Sequence, residues 1–394
     1  MLTKDQLEHL NRESSGLSVV GHSDLNGHGD AMHVNLRGGL AYVGHMGDTH
    51  IGTSVVDVSN PRDPRVVHQL SKPEGIRSHK VQVLDDILLV NYEVLIGGAL
   101  DPALPTGLKV FSLADPIRPE EIAFMPMPGH GVHRMKFTTW PYAFMSGSDL
   151  GFDRQFFMVV DLSDPAHPKE VSRWWLPGMN RGMGEAPTWH AERSVWHHHA
   201  SIVGDRAYCA WWDAGLVILD ISDIDRPELV THMAFDDLQA PPRVSGATHG
   251  VLALPERNLL VVCEEEIEND AVGCKKYVHL IDISDELRPR RLSILPEPIG
   301  DFAHRGGRYG PHNMHEMRPG TYQNSDELFV TYFNAGVRVY DISDPYSPQE
   351  TAYLVPPSPD GVRPIQMNDL IVGDDGLIYA TDRFSGGLYV IERS

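Results

Sequence analysis

Cysteine is scarce in this chain. Cys209, Cys263 and Cys274 are the only three in 394 residues. They give no paired framework and no close Cys-x-x-Cys spacing, so a disulfide scaffold is excluded and a reducing compartment is expected. Long hydrophobic runs are missing too: no stretch of about 18 apolar residues occurs, which excludes a membrane-spanning helix from the pattern. The N-terminus, Met1-Leu2-Thr3-Lys4-Asp5-Gln6-Leu7-Glu8, carries acids where a secretory leader has its apolar core. A cytoplasmic protein with no membrane partner is the expectation. Positive charge is also short, with 33 Lys and Arg against 54 Asp and Glu and a formal net charge of −21. Repulsion from phosphates then argues against nucleic acid as a partner. No Gly/Ser linker, charge block or compositional shift divides the chain, so residues 1–394 are expected to form one domain. Phosphate-binding Gly-rich loops, a Gly-x-Ser-x-Gly nucleophile elbow and a His-Glu-x-x-His helix are absent, which leaves covalent serine or cysteine catalysis without support.

What is present is a returning phrase. It reads Asp57-Val58-Ser59, Asp161-Leu162-Ser163-Asp164, Asp220-Ile221-Ser222-Asp223, Asp282-Ile283-Ser284-Asp285 and Asp341-Ile342-Ser343-Asp344. A β-branched run precedes each copy and a proline follows (Pro64, Pro168, Pro227, Pro289, Pro348). A weaker copy, Val110-Phe111-Ser112-Leu113, leads to Pro119, and the chain ends on a truncated one at Leu388–Glu392. Seven units at a period of roughly 50 to 60 residues predict a repeat architecture. In the fourth unit, residues 200–203, 207–211, 216–221 and 228–233 read as four short strands separated by turns. Asp and Ser cap the turn after the third strand, and proline stops the ladder. The fold predicted is all-β: a seven-bladed β-propeller with four antiparallel strands per blade. The last unit lacks a fourth strand, while residues 16–22 supply one before the first full unit. The N-terminal strand should therefore complete the last blade and close the ring.

The third-strand copies Leu216-Val217-Ile218-Leu219-Asp220 and Val337-Arg338-Val339-Tyr340-Asp341 resemble the LVIVD-repeat proteins, a family of β-propellers named for this motif. The resemblance spans the chain. It implies a fold and carries no chemistry, because the motif is a strand with its turn. Export signals are frequent in that family, and this N-terminus does not resemble one.

Histidine, by contrast, is abundant at 21 residues, and its placement is regular. In a propeller, loops entering the first strand and leaving the second share one rim of the axial channel. His79, His133, His198, His249 and His312 stand at successive first-strand starts, with His197, His199 and His315 crowding beside them. His33 falls one position out of register, and the seventh unit offers Asn368. Packing imidazoles around one axis is costly if they protonate. A divalent transition metal removes that cost, since neutral imidazole is the commonest metal ligand. The candidate ligands are His79, His133, His198, His199, His249 and His312, of which one ion takes three or four. Nitrogen donors without thiolate suit Mn, Fe, Zn, Cu or Ni and disfavour Mg or Ca. Which of His197, His198 and His199 faces the channel depends on a one-residue register.

Around that ring, His130, His304 and Arg305 lie in loops entering first strands, and Glu93 leaves a second strand. His130 or His304 could act as base, Arg305 could steady an enolate or carboxylate, and Glu93 could order a ligand or accept a proton. The Glu264–Glu266 triplet is expected to be half solvated, because alternate strand residues face opposite ways. A long loop from Trp174 to Trp196, rich in Trp, Met and Gly, reads as a pocket wall or a subunit contact, the latter making a homodimer an expectation. The function expected is a metal-dependent enzyme acting on a small oxygenated substrate by β-elimination (a lyase) or hydrolysis. Propeller lyases of sugars and cyclic peptides look similar in placing histidines and a metal at this face. A four-histidine ring also resembles the carotenoid-cleaving iron oxygenases, and a copper oxidase could use one, so a metal oxygenase or oxidase is the first alternative. A non-enzymatic interaction scaffold is the second.

Overall fold

A computed structural model describes residues 1–47, 49–242, 247–361 and 363–394. The recurring phrase explains the fold locally. In the five Asp-bearing copies the first Asp of the phrase accepts the backbone N–H of the Ser two residues on, at 2.9 Å for Asp57, Asp220 and Asp282, 2.8 Å for Asp341 and 2.7 Å for Asp161. The second Asp repeats the device, Asp344 capping Tyr346 N at 3.0 Å. Two consecutive Asx turns reverse the chain without help from a ladder. Between them, Leu162, Ile221, Ile283 and Ile342 drop into the core. Their backbone N–H groups bond the turn between the blade's first two strands, as Ile221 does to Asp205 at 2.9 Å. Third-strand residues such as Val217, Ile218 and Leu219 are fully buried, each contributing about 1.5–3 kcal/mol.

The strands assemble into seven antiparallel sheets. Blade 1 comprises Ala31–Arg37, Leu40–His45, Ile51–Asp57 and Arg65–Ser71. Blade 2 holds Val81–Leu84, Ile87–Val94, Gly107–Ser112 and Glu120–Pro126, with Ile76–Arg77 extending its inner edge. Blade 3 is Met135–Thr139, Tyr142–Gly147, Phe156–Asp161 and Lys169–Trp174; blade 4 is His199–Val203, Arg206–Ala210, Leu216–Asp220 and Glu228–Met233. Blade 5 is Thr248–Leu254, Leu259–Glu264, Val278–Asp282 and Arg290–Ile294. Blade 6 has Glu327–Thr331, Val337–Asp341 and Gln349–Leu354. Its innermost strand shrinks to a Met314–Val330 bridge. Blade 7 is Met367–Val372, Ile378–Asp382 and Gly387–Arg393, completed by Leu17–Ser23.

Closure is thus by the N-terminal strand, and it is doubled. Ser14–Ser15 pairs with the outer strand of blade 6, and Leu17–Ser23 pairs with Gly387–Arg393 of blade 7. Gly16 makes the switch at φ +69°, where an added Cβ would stand 3.0 Å from Ala352 Cβ; only glycine fits both the angle and the gap. Ahead of it lies a short helix, Lys4–Leu10, capped by Thr3, which the strand pattern gave no reason to expect.

The inner strands splay from one another, so their outward N–H groups lack ladder partners. Polar side chains of the preceding blade accept them instead: His33 from Val81 N (3.4 Å), Asn35 from Val83 N (3.1 Å), His199 from Val251 N (3.3 Å), His315 from Val372 N (3.2 Å) and Asp369 from Val34 N (3.0 Å). Burying an unpaired N–H would be costly, which accounts for polar residues on the innermost face.

Candidate functional site

Five imidazoles form a continuous arc at one end of the channel, contributed by blades 2 to 6. Ring centroids run 5.1 Å from His79 to His133, 4.6 Å to His198, 4.0 Å to His249 and 4.3 Å to His312. Blade 7 places Asn368 next, its amide donating to the Met32 carbonyl of blade 1 at 2.6 Å. All five imidazoles are buried, His133 most accessible at 8%. Burial and neighbouring cations hold His79, His198, His249 and His312 well below the ordinary histidine pKa, so these rings are neutral at pH 7.

A neutral imidazole carries one proton, and partners fix where it sits. His198 Nδ1–H donates to the His249 carbonyl at 2.6 Å, and His312 Nδ1–H to the Asn368 carbonyl at 2.5 Å. His133 Nδ1–H faces both Glu93 oxygens, at 3.0 and 3.1 Å. Burial alone would raise the Glu93 carboxyl, but Arg77, at 2.7 Å, and His133 outweigh it and hold it below the usual range. Each of these three rings therefore turns an unprotonated Nε2 toward the others. His133 Nε2 and His198 Nε2 stand 2.8 Å apart with no proton to share. His249 Nε2 and His312 Nε2 each lie 3.5 Å from Glu265. His79 is different: Asn91 Nδ2 faces its Nδ1 at 3.2 Å, which leaves the proton on Nε2, 3.8 Å from Glu93. Two three-donor groups satisfy mutual distances below 4.8 Å: His79, Glu93 and His133, and His198, His249 and Glu265.

The remaining candidates divide. His199 belongs to a layer beneath the arc: its Nδ1 takes the Val251 N–H, and Nε2 faces Glu316 at 2.9 Å. Adjacent strand residues cannot share one face, so His198 takes the arc and His199 leaves the ligand set. His197 is wedged against Phe157 and Trp211. His130 stays at the mouth, half-buried and electrostatically coupled to Glu93. His304 and Arg305 do not reach the arc. Both are exposed on an outer turn, and Arg305 is held by Glu13 (2.7 Å) and Asp301 (2.6 Å); two carboxylates on the rim outcompete the channel for that guanidinium. The Glu264–Glu266 triplet is buried throughout rather than half solvated. Glu264 accepts Tyr277 N at 2.8 Å, and Glu265 turns to the histidines. From the long loop, Trp196 packs edge-on against His133 and His198, at 5.1 and 5.2 Å, and so walls the site.

Lys80 and Glu316 escaped the sequence reading, whereas Arg383 follows from its place in the loop leaving the second strand of blade 7. Lys80 is fully buried, its Nζ has no hydrogen-bond partner, and its charge bears on His33 and on all five arc histidines. That places it close to the axis. Burial, with Arg134 nearby, lowers it to about 7. Glu316 ties the deeper layer, pairing with Arg134 (2.8 Å) and Lys136 (2.7 Å) besides His199. Burial would raise that carboxyl, yet Lys136, His199 and Arg134 hold it well below its ordinary range. Arg383, lowered to about 10 by burial and by Arg308, lies over Phe333 at 5.6 Å. The available signal was the basic residue beside ring histidines, His79-Lys80 and His133-Arg134, immediately before inner strands that should be apolar.

Fold and site together define a closed seven-bladed propeller with a histidine-lined axial channel. The LVIVD repeat matches residues 28–70, 152–174 and 199–234, which fall on blades 1, 3 and 4, so the chain carries LVIVD repeats in those blades. No curated protein matches it in sequence. Similar solved structures include the β-propeller domain of Cps50 (Swd1) from Myceliophteria thermophila, with TM-score 0.60, 11% identity, and 93% of this chain and 97% of that one covered. The N-terminal domain of Nup159 gives 0.59 at 10% identity over 96% and 95%. The periplasmic gluconolactonase PpgL of Pseudomonas aeruginosa gives 0.56 at 14% over 89% and 93%. At these identities the likeness is one of fold. Among the described residues no helix is long and apolar enough to cross a membrane.

Proposed function

We propose that this protein is a metal-dependent enzyme whose axial histidines hold one divalent transition ion, drawn from Mn, Fe, Zn, Cu or Ni. One observation carries the reading: the Nε2 atoms of His133 and His198 stand 2.8 Å apart, and both rings have committed their protons at Nδ1. Two lone pairs in that position repel. Protonating either ring is opposed by burial, the largest effect on each. A cation held by both would resolve the conflict, because nitrogens about 2.0–2.1 Å from one ion and at about a right angle lie roughly 2.8–3.0 Å apart. Glu265 lies 3.5 Å from both His249 and His312. His198, His249 and Glu265, whose donor atoms lie within 4.8 Å of one another, would hold the ion, with His133 beside His198 and His312 beside Glu265 as the further donors. Glu93 orients His133 from behind, as carboxylates do for ligating imidazoles.

An ion so held would polarise a substrate oxygen or lower the pKa of a bound water. The chain's own groups supply the rest. Trp196, Trp212 and Phe333 pack on His133, His198 and His312 and exclude bulk water. His130, at the mouth and lowered by burial, is placed to take a proton from a C–H bond or a water as general base. Such an arrangement suits β-elimination or hydrolysis of a small oxygenated molecule. That a gluconolactonase shares the architecture is compatible with the hydrolytic branch. An oxygenase would use the same arc, and the ion's redox activity separates the two. The test is elemental analysis of untagged protein prepared without chelators, beside His133→Ala and His249→Ala. About one transition ion per chain, lost in both variants, supports the proposal; no stoichiometric metal after reloading sinks it and leaves the scaffold reading.

A further inference from the structure

The histidine arc has a gap where blades 7 and 1 contribute Asn368 and Met32. Among the described residues, two buried cations there have polar hydrogens without a hydrogen-bond acceptor. Arg383 follows the second strand of blade 7; its Nε and Nη1 are buried without a hydrogen-bond partner, and its Nη2 reaches only the Met46 sulfur at 3.2 Å. Lys80 Nζ, near the axis, likewise has none. Both act electrostatically on His312; Lys80 feels Asp369 and Glu265, and Arg383 feels Glu265 and Asp382, but Glu265 is already bonded to Arg308 at 2.8 Å and stands 3.9 Å from Arg383 Nη1. At the mouth three guanidinium groups, Arg77, Arg308 and Arg383, share two carboxylates, Glu93 and Glu265. Lys80 adds a further cation beneath. The buried carboxylates Asp369 and Asp382 act on these cations as well, yet neither gives Lys80 Nζ or Arg383 Nε and Nη1 a hydrogen bond.

An unpaired buried cation is costly unless something completes it. The donors here, a guanidinium and an ammonium, are the groups that bind carboxylate and phosphate oxygens. Arg308 and Arg383 both lie 5.6 Å from the Phe333 ring centre, a contact that holds them in place. We infer that Arg383 and Lys80 form an oxyanion subsite in the gap of the arc, and that the molecule bound there is a small carboxylate. As a statement about substrate it rests on the proposed metal enzyme; as a statement about binding it does not. The role once expected of Arg305 at the rim passes to Arg383 inside the channel. The near-complete burial of the arc limits the ligand to a few heavy atoms beyond its anionic group.

The test is titration calorimetry with propionate and with inorganic phosphate, on the full chain in metal-loaded and metal-stripped forms. Wild type is expected to bind propionate saturably at one site per chain. Arg383→Gln should weaken it at least tenfold, Lys80→Met should weaken it as well, and Arg305→Gln should leave it unchanged, all with unaltered metal content by elemental analysis. Phosphate binding in place of propionate overturns the carboxylate assignment. No saturable binding of either anion, or equal binding in Arg383→Gln, overturns the subsite. Should Arg383→Gln fail to fold, Arg383→Lys carries the test, since it keeps the charge and loses the planar donor set; undiminished binding there also overturns the assignment. Absence of metal with anion binding intact would refute the metal reading alone.

Discussion

Two layers of histidine line this channel, and they do opposite things. In the arc, His198 and His312 give their Nδ1 protons to the carbonyl of the next blade and present bare Nε2 atoms to the axis. In the layer beneath, His33, His199 and His315 accept a neighbouring blade's N–H at Nδ1 and keep the proton on Nε2. That proton faces Asp369 for His33, Glu316 for His199 and the Tyr322 carbonyl for His315. The first arrangement makes ligands, and the second makes mortar between blades. Residue type does not separate them; the identity of the group behind each ring does.

The largest effect expected from breaking this contrast is at Glu316. Glu316→Leu strands Arg134, Lys136 and His199 in the interior, which should cost about 3–5 kcal/mol in urea unfolding. Its counterpart Glu93 should act on the arc instead. Glu93→Gln is expected to weaken metal affinity roughly 10- to 100-fold with a smaller stability loss, read by competitive chelation; equal metal affinity would deny Glu93 its orienting role.

Acid should attack the mortar. Burial depresses His199 and His315 to about 4, below the 6.5 of the unfolded chain. The unfolded state therefore binds protons first, so stability is full above pH 6.5 and falls as pH drops toward 4. Each such group contributes about 1.4 kcal/mol per pH unit in that window. His315→Gln, whose amide can serve both partners, should flatten the slope by one group's share; a slope unchanged from pH 7 to 5 would count against the assignment. The smallest effect is at the rim. Arg305→Gln should alter stability by no more than about 0.5 kcal/mol and leave metal content untouched, whereas lost metal would return Arg305 to the site.

The propeller was legible because its signal is local. The Asp and Ser of each repeat make the turn they sit in, and the unpaired N-terminal strand announced closure. The arc was legible too, since first-strand starts at His79, His133, His249 and His312 share one register. The deeper layer was not. Arg134 and Lys136 come from blade 3 and Glu316 from blade 6, and only convergence on one axis makes a salt-bridged layer of them. His199 and His304 misled for related reasons: the inner strand of blade 4 turns its side chains alternately, and the loop holding His304 swings outward to Glu13. Tautomers are invisible to sequence, because they depend on carbonyls supplied by the neighbouring blade.

The most direct measurement applies one substitution at two adjacent positions. Gln can both accept and donate, so it should replace a blade-linking histidine but not a metal-ligating one. Elemental analysis of His198→Gln and His199→Gln beside wild type is predicted to show about one transition ion per chain in wild type and in His199→Gln, and little in His198→Gln. Metal retained in His198→Gln and lost in His199→Gln, or none in wild type after reloading, would contradict the account.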